Sequence, residues 1–347
     1  MHDIVIGNQQ IGSGRCFVIA EAGVNHNGNL DMAFRLVEVA VDAKADAIKF
    51  QTFRAESLAT YNAPKAKYQL RDNAQESQFD MLRRLELSAE SHVALMEYCK
   101  RKGILFLSTP FDEQSADFLD QLGVVAFKIP SGELTNLPFL AHVSRKGKPM
   151  IVSTGMSYLN EVDAGVRTIY EAGNRQLVLL HCVSTYPAAP GDVNLRAMET
   201  LREAFGVPVG FSDHTLGIHI AITASALGAS VIEKHFTLDQ NLPGPDHKAS
   251  VEPAELAEMV QGIRVLEAAM GDGKKEPAPS EMDTAVAARR SLVIVRDLKA
   301  GSRLTEGDIA LLRPGNGLSP LMKSFVVGKR ILRDLEAGTV LQAEMLG

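Results

Sequence analysis

Residues 210–236 read G-F-S-D-H-T-L-G-I-H-I-A-I-T-A-S-A-L-G-A-S-V-I-E-K-H-F. Period-two alternation over the last seven positions puts Val231, Glu233 and His235 on one strand face and Ile232, Lys234 and Phe236 on the other. His214 follows the apolar run V-P-V-G-F, in the corresponding place at the end of the preceding strand, and the residues between have helical spacing. Two imidazoles at the ends of neighbouring parallel strands can share a divalent metal and leave positions open for water or substrate. The competing interpretation is a pair of hydrogen-bonding histidines near a barrel rim.

Outward from this segment the same alternation repeats. Apolar runs lie at 17–20, 47–50, 104–107, 124–129, 150–152, 177–180, 207–211 and 230–232. Helical stretches lie near 30–43, 89–102, 113–121, 136–146, 159–172, 194–204, 217–227 and 253–269. Eight strand–helix units over about 250 residues predict an α/β fold of the (β/α)8 barrel type, since an open doubly wound sheet more often stops at fewer strands. The barrel domain is expected over 1–270, with residues 1–13 as an apolar hairpin or arm. A long segment after the second strand, 54–86, is expected to cover substrate at the catalytic face. From 271 to 288 the chain turns rich in Gly, Pro and charge and predicts a linker, partly extended. Residues 289–347, with short β-branched runs and A-G, P-G-N-G and E-A-G turns, predict a small β-rich second domain.

The composition excludes several classes of function. A 347-residue chain with 46% hydrophobic and 22% charged residues is an ordinary globular protein. Its net charge of −6 gives no sign of nucleic acid or an anionic membrane as partner, so an anionic ligand must be captured by a local cluster. The three cysteines, Cys16, Cys99 and Cys182, have no C-x-x-C spacing and suggest neither a disulfide framework nor a cysteine zinc site. With no export signal or membrane-spanning run in view, a cytoplasmic location is expected.

Polar groups sit at the ends of all eight apolar runs, and in a barrel these ends converge on the face that carries the active site. They are Glu21; Lys49 and Gln51; Ser108 and Thr109; Lys128, Ser131 and Glu133; Ser153 and Thr154; His181 and Ser184; Ser212, Asp213 and His214; and Glu233 and His235. Lys49 and Lys128 fall on inner faces, where an ammonium needs a partner. Either Glu21, Glu133 and Glu233 compensate them in a ligand-free network, or they hold a small polyanion with the hydroxyls of Thr109, Ser131, Ser153 and Ser212. The glycine of I-P-S-G-E lets backbone approach such a ligand. On this view Lys49→Met or Lys128→Met weakens anion binding and leaves thermal stability unchanged or raised.

E-A-G-V-N-H-N-G, I-K-F-Q-T-F, S-T-P-F, F-K-I-P-S-G-E, S-T-G-M, F-S-D-H-T, E-K-H-F-T and G-P-D-H occur in this order. Together they resemble the sialic acid synthases, which condense phosphoenolpyruvate with an N-acylated mannosamine-type sugar. R-R-S, R-P-G-N-G and G-K-R near the C-terminus resemble the antifreeze-like (SAF) domain of that family. The resemblance implies a metal at His214 and His235, usually manganese, with magnesium or cobalt as substitutes. It implies phosphoenolpyruvate at Lys49, Thr109, Lys128, Ser131, Ser153, Ser184 and Ser212, where some relatives carry Asn in place of Ser184. Glu21, Gln51, Glu133, Tyr186 and Asp246 match positions that meet the sugar or its aldehyde. Glu21 or Glu133 is the candidate general base. The resemblance also implies that Arg313 reaches the sugar across a domain-swapped homodimer.

The expected reaction gives N-acetylneuraminate from N-acetylmannosamine, with C–O cleavage and release of phosphate. The alternative is an N,N'-diacetyllegionaminate synthase acting on 2,4-diacetamido-2,4,6-trideoxymannose. Tyr68, Gln69 and the rest of 54–86 are expected to choose between the sugars. Two rivals stand beside these: a lyase with Lys128 as Schiff-base nucleophile, which the histidine pair argues against, and a non-catalytic sugar- or anion-binding protein. His92, His142 and His219 are read as packing or surface residues.

Overall fold

The computed structural model describes residues 4–66, 69 and 75–347. By its internal contacts the chain divides into two compact units, 1–271 and 272–347.

The first unit opens with a hairpin, β1 (Ile4–Ile6) and β2 (Gln9–Ile11), paired antiparallel. Eight parallel strands follow: β3 (Phe17–Gly23), β4 (Ala47–Thr52), β5 (Leu105–Pro110), β6 (Phe127–Ile129), β7 (Met150–Ser153), β8 (Leu177–Cys182), β9 (Val209–Asp213) and β10 (Val231–His235). Their hydrogen-bonded order is β5-β4-β3-β10-β9-β8-β7-β6. The two ends of that order, β5 and β6, lie side by side and complete the (β/α)8 barrel. The strands run past the apolar stretches into the polar residues, as at Thr52, Asp213 and His235. Main-chain pairing continues where inward side chains stop facing hydrocarbon and begin to face a cavity.

Helices alternate with the strands: α1 (Leu30–Asp42), α2 (Ala55–Leu58), α3 (Gln78–Leu85), α4 (Ala89–Lys102), α5 (Glu113–Leu122), α6 (Leu137–Ser144), α7 (Leu159–Glu171), α8 (Ala197–Phe205), α9 (His219–Ala226) and α10 (Pro253–Met270). Several begin at a side-chain cap, such as Asn29 before α1 and Ser88 before α4, which satisfies an otherwise orphaned backbone N–H. The helices' apolar stripes and the outward strand residues, among them Ile48, Phe50, Ile232 and Phe236, form the main core. A second core fills the lower barrel, where the hairpin's Ile4, Ile6 and Ile11 pack with Phe17, Ile19, Ala47, Leu107, Ile151 and Val231. The barrel is therefore plugged at its lower end and open only above this layer. Among the described residues, no helix is long and apolar enough to cross a membrane.

Helices α2 and α3 belong to the insertion after β4. Met81 and Leu85 of α3 pack with Val24 and Phe53, and Leu58, Leu82 and Phe111 join them. This small apolar cluster holds the insertion over the upper rim.

In the second unit, 272–347, α11 (Met282–Ala288) occupies part of the expected linker, and Gly315 N–H donates to Val286 O at 2.7 Å. The segment is thus folded at its C-terminal half. Strands β11 (Ser291–Ile294) and β12 (Ile309–Leu312) pair antiparallel, and a one-turn helix, α12 (Lys323–Val326), follows. Leu292, Ile294, Leu304, Ile331 and Leu341 lead a core of this unit's own.

Candidate active site

Above the lower core the inward positions change from hydrocarbon to charge. On β10, Val231 faces the core, while Glu233 and His235 line a cavity of about 440 Å³. Register carries the switch round the barrel: Glu21 pairs with Lys49 and with His235, and Ser212 with Glu233. Gly210 on β9 permits this packing, since a Cβ there lies 2.3 Å from Val231 O and 2.7 Å from Leu180 Cδ2.

Lys49 and Lys128 are 2% and 3% exposed, so each needs a counter-charge. Lys49 Nζ lies 2.7 Å from Glu21 Oε2 and 3.8 Å from Glu233 Oε2, and donates to Thr109 Oγ1 at 2.9 Å. Lys128 Nζ lies 3.3 Å from Glu233 Oε1, which also accepts from Ser212 Oγ at 3.0 Å. Two lysines and two glutamates thus form a chain, Glu21–Lys49–Glu233–Lys128. Burial pushes the Glu21 carboxyl up against the pull of Lys49. Burial acts the same way on Glu233, but Lys128 and Lys49 outweigh it and hold that carboxyl down. Burial also lowers the Lys128 amine, with Glu233 opposing. Lys128 is therefore not the isolated buried charge on which the expectation of unchanged or raised stability rested: its loss leaves Glu233 with the longer contact to Lys49 and the bond from Ser212.

Beside this chain stand hydroxyls suited to a ligand's oxygens. Ser153 Oγ is buried and, among the described residues, has no hydrogen-bond partner. Ser131 Oγ accepts from Gly155 N at 3.0 Å and touches Cys182 Sγ at 3.1 Å. A Cβ on Gly155 lies 2.4 Å from Ser184 Oγ and 2.9 Å from Ser131 Oγ, so only glycine lets these groups close around one point. Gly132, the glycine expected to let backbone approach the ligand, lines the same cavity, and among the described residues nothing lies within 4 Å of its Cβ position.

His214 and His235 have ring centroids 5.5 Å apart, and Tyr186 lies 4.2 Å from the first and 5.6 Å from the second. His214 Nδ1 bonds Val183 O at 2.7 Å, which makes Nδ1 the protonated nitrogen and leaves Nε2 with its lone pair. His235 Nδ1 is buried, has no hydrogen-bond partner among the described residues, and faces Asp246 Oδ2 at 3.8 Å. Burial lowers the pKa of His214 to about 4 and that of His235 well below its usual value, so both are the neutral ligands a metal requires. Among the described residues no three His, Cys, Asp or Glu side chains converge as a metal cluster. The pair fits a cation that takes its remaining ligands from water or substrate oxygens, as a catalytic site requires.

The NeuB family model matches residues 36–275, and the SAF domain model matches 289–347. The chain belongs to the NeuB family. It is 51% identical over 332 residues to the N,N'-diacetyllegionaminic acid synthase of Legionella pneumophila, covering 94% of this chain and 93% of that one. To the enzyme of the same name from Campylobacter jejuni it is 48% identical over 318 residues, 91% and 95% of the two chains. Among solved structures, the N-acetylneuraminic acid synthetase of Leptospira borgpetersenii in complex with citrate superposes with a TM-score of 0.72 at 36% identity, covering 82% of this chain and 95% of that one. The sialic acid synthase resemblance, the barrel with a SAF domain and the assignment as an enzyme of this family all stand.

In this NeuB-family barrel one cavity gathers Glu21, Lys49, Gln51, Thr109, Lys128, Ser131, Ser153, Ser184, Tyr186, Ser212, His214, His235 and Asp246. One expected residue of this unit is placed elsewhere. Glu133 is not in the cavity lining, and its Oε2 accepts from Asn136 Nδ2 at 2.7 Å. Arg313 belongs to the second unit, exposed at the end of β12. His181 turns from the cavity to bond Val193 O at 2.7 Å. Tyr68 lies outside the described residues, while Gln69 lines the cavity. Sequence reasoning named Glu233 only as a compensating charge, although it is the acid both lysines share; its place on the strand face of His235 was the available signal. The apolar wall built by Val24, Leu58, Met81, Leu82, Leu85 and Phe111 was missed. No local pattern in 54–86 says which helix face turns toward the mouth.

Proposed function

We propose that this enzyme condenses phosphoenolpyruvate with the open-chain aldehyde of 2,4-diacetamido-2,4,6-trideoxymannose and water, giving N,N'-diacetyllegionaminate and phosphate. One observation carries this: a single cavity is lined both by a floor of lysines and hydroxyls and by an apolar wall of Leu58, Met81, Leu82 and Leu85. The floor suits a phosphate and a carboxylate. The wall suits a sugar whose C6 is a methyl group and which bears two acetamido methyls. The identity to two legionaminic acid synthases supports the same sugar. N-acetylmannosamine, the sugar first expected, is the alternative.

In this mechanism Lys49 and Lys128 hold the phosphate and carboxylate, helped by Thr109, Ser131, Ser153 and Ser212. His214 and His235 hold a divalent cation, manganese for preference given imidazole ligands, which when bound acts as a Lewis acid toward the sugar aldehyde. C3 of phosphoenolpyruvate bonds to C1 of the sugar, and the former carbonyl oxygen takes up a proton. Water adds at C2 and gives up one proton, and the tetrahedral intermediate collapses to the C2 ketone as the C2–O bond to phosphate breaks and the remaining hydroxyl proton passes to the leaving phosphate. Glu21 is the better candidate for the proton from water: it touches Lys49 inside the cavity, and its raised carboxyl exchanges protons close to neutrality. Glu133, turned to Asn136, is the weaker one. The proposal extends to a cytoplasmic homodimer in which Arg313 of one subunit serves the sugar of the other.

Phosphate release with phosphoenolpyruvate and each sugar in turn tests the proposal, with products identified by mass spectrometry. The diacetamido sugar should give a kcat/KM at least about tenfold above N-acetylmannosamine, the discrimination one apolar group provides. A reversed preference selects the alternative, and no phosphate release with either sugar selects a binding protein.

A further inference from the structure

The outward face of β10 carries an ammonium where its neighbours are hydrocarbon. Ile232 and Phe236 on that face join the main core, and Lys234 between them is fully buried, as is Asp213 at the end of β9. Neither lines the cavity. Lys234 Nζ donates to Asp213 Oδ2 at 2.8 Å and also to the carbonyl oxygen of Thr215. The other carboxylate oxygen, Asp213 Oδ1, accepts from Thr215 N at 2.9 Å and from Thr215 Oγ1 at 2.8 Å.

Stability is a weak reason for this pair. Replacing a buried ion pair by well-packed neutral residues is often neutral or stabilising, because desolvation offsets most of the attraction. Hydrocarbon cannot, however, tie together the particular residues that this pair joins. Lys234 precedes His235, and residues 213 and 215 flank His214. The β9–β10 register ends with Lys234 opposite Asp213, so strand pairing does not reach His214. Beyond that point His214 is held by Ala188 N, which donates to its carbonyl oxygen at 2.8 Å, and by its ring bond to Val183 O, both from the segment after β8. The bonds to Asp213 and Thr215 are the link from this turn back to the strand that carries His235.

We propose that Lys234 and Asp213 are positioning residues of the metal site, a clamp behind the barrel wall that holds His214 and His235 at the separation a divalent cation bridges. This rests on the assignment of those histidines as ligands. Neither member of the clamp touches substrate.

The test uses the full chain as wild type, D213N, K234M and the double variant K234M/D213N. Thermal unfolding is measured together with Mn²⁺ binding to metal-stripped protein by titration calorimetry. K234M should be destabilised, because it strands a buried carboxylate. The double variant should recover stability, because both charges are gone. Its Mn²⁺ affinity should nonetheless stay about 10- to 100-fold below wild type, the usual loss when a group supporting a ligand is removed. D213N keeps the side chain's shape and the acceptor for Thr215, and should show weakened Mn²⁺ binding even if the double variant does not fold. Wild-type affinity in folded D213N or in the folded double variant overturns the clamp. Wild-type protein whose Mn²⁺ binding is insensitive to H214A overturns the metal assignment and the clamp with it. Sensitive wild-type binding beside an unchanged double variant overturns the clamp alone.

Discussion

Lys128 Nζ lies 3.3 Å from Glu233 Oε1, and both groups are buried at the floor of the barrel mouth. The pair is at once an element of stability and, in the proposed function, half of the site for a polyanion. Lys128→Met should therefore unfold more easily, by less than the about 3 kcal/mol of a fully broken buried pair, since Lys49 still lies 3.8 Å from Glu233. Adding Glu233→Gln should restore most of that stability and none of the phosphoenolpyruvate binding. Denaturant melts and calorimetry with phosphoenolpyruvate check the two halves separately; normal binding by Lys128→Met means the anion sits elsewhere.

Removal of the metal should abolish condensation, and Mn²⁺ should restore it at least as well as Mg²⁺, because imidazole suits the former. His214→Ala should lose Mn²⁺ binding and turnover and still fold, with a melting temperature lowered modestly by loss of the buried ring's bond to Val183 O. Full turnover in protein shown by elemental analysis to be metal-free contradicts the assignment.

His26 sits fully buried beside Phe50, with Nδ1 accepting from Gly28 N at 3.0 Å, and burial lowers its pKa to about 3. In the unfolded chain it titrates near 6.5. Below that pH the unfolded state binds a proton that the native state refuses, so stability falls as pH drops from about 6.5 toward 3, by at most about 1.4 kcal/mol per unit. Urea melts at intervals from neutral to acid pH should show a smaller slope for His26→Asn than for wild type. Equal slopes show that His26 is not the source.

Leu82→Asn puts an amide into the apolar wall. It should raise KM for the diacetamido sugar about tenfold and leave KM for phosphoenolpyruvate unchanged, since one apolar contact in a pocket contributes on the order of 1–3 kcal/mol. Parallel increases in both constants indicate a general disturbance of the mouth.

Mixing Arg313→Ala and Lys128→Met protomers tests the proposed homodimer. If Arg313 serves the partner subunit, one site of each heterodimer carries both lesions and the other neither, and activity returns from two nearly inactive parents. No recovery, despite demonstrated subunit exchange, assigns Arg313 to its own chain or to no site.

The barrel was legible because each of its strands is a short apolar run bounded by a helical stretch, a signal local in sequence. The inward faces were legible for the same reason: alternation on one strand is enough to place Lys49 with Gln51 and Glu233 with His235. Glu133 shows where such inference stops. It follows Ser131 in a polar stretch past β6, but a 3-10 turn over Ser131–Glu133 carries its carboxylate to Asn136. A strand's period of two no longer applies once the chain turns.

From residues alone came the eight-unit repeat, the face each side chain occupies on its strand, and most of the polar groups gathered at one rim. These depend on patterns a few residues long. Tertiary structure alone decided that Glu233 stands between two lysines, that Gly155 and not Gly132 is the crowded glycine, that α3 turns an apolar wall to the mouth, and that Lys234 pairs with Asp213 behind it. Each of these joins atoms from segments far apart in the chain. Such partners are selected by closure of the barrel and by the need of every buried charge for a counter-charge, and neither condition exists until the strands are assembled.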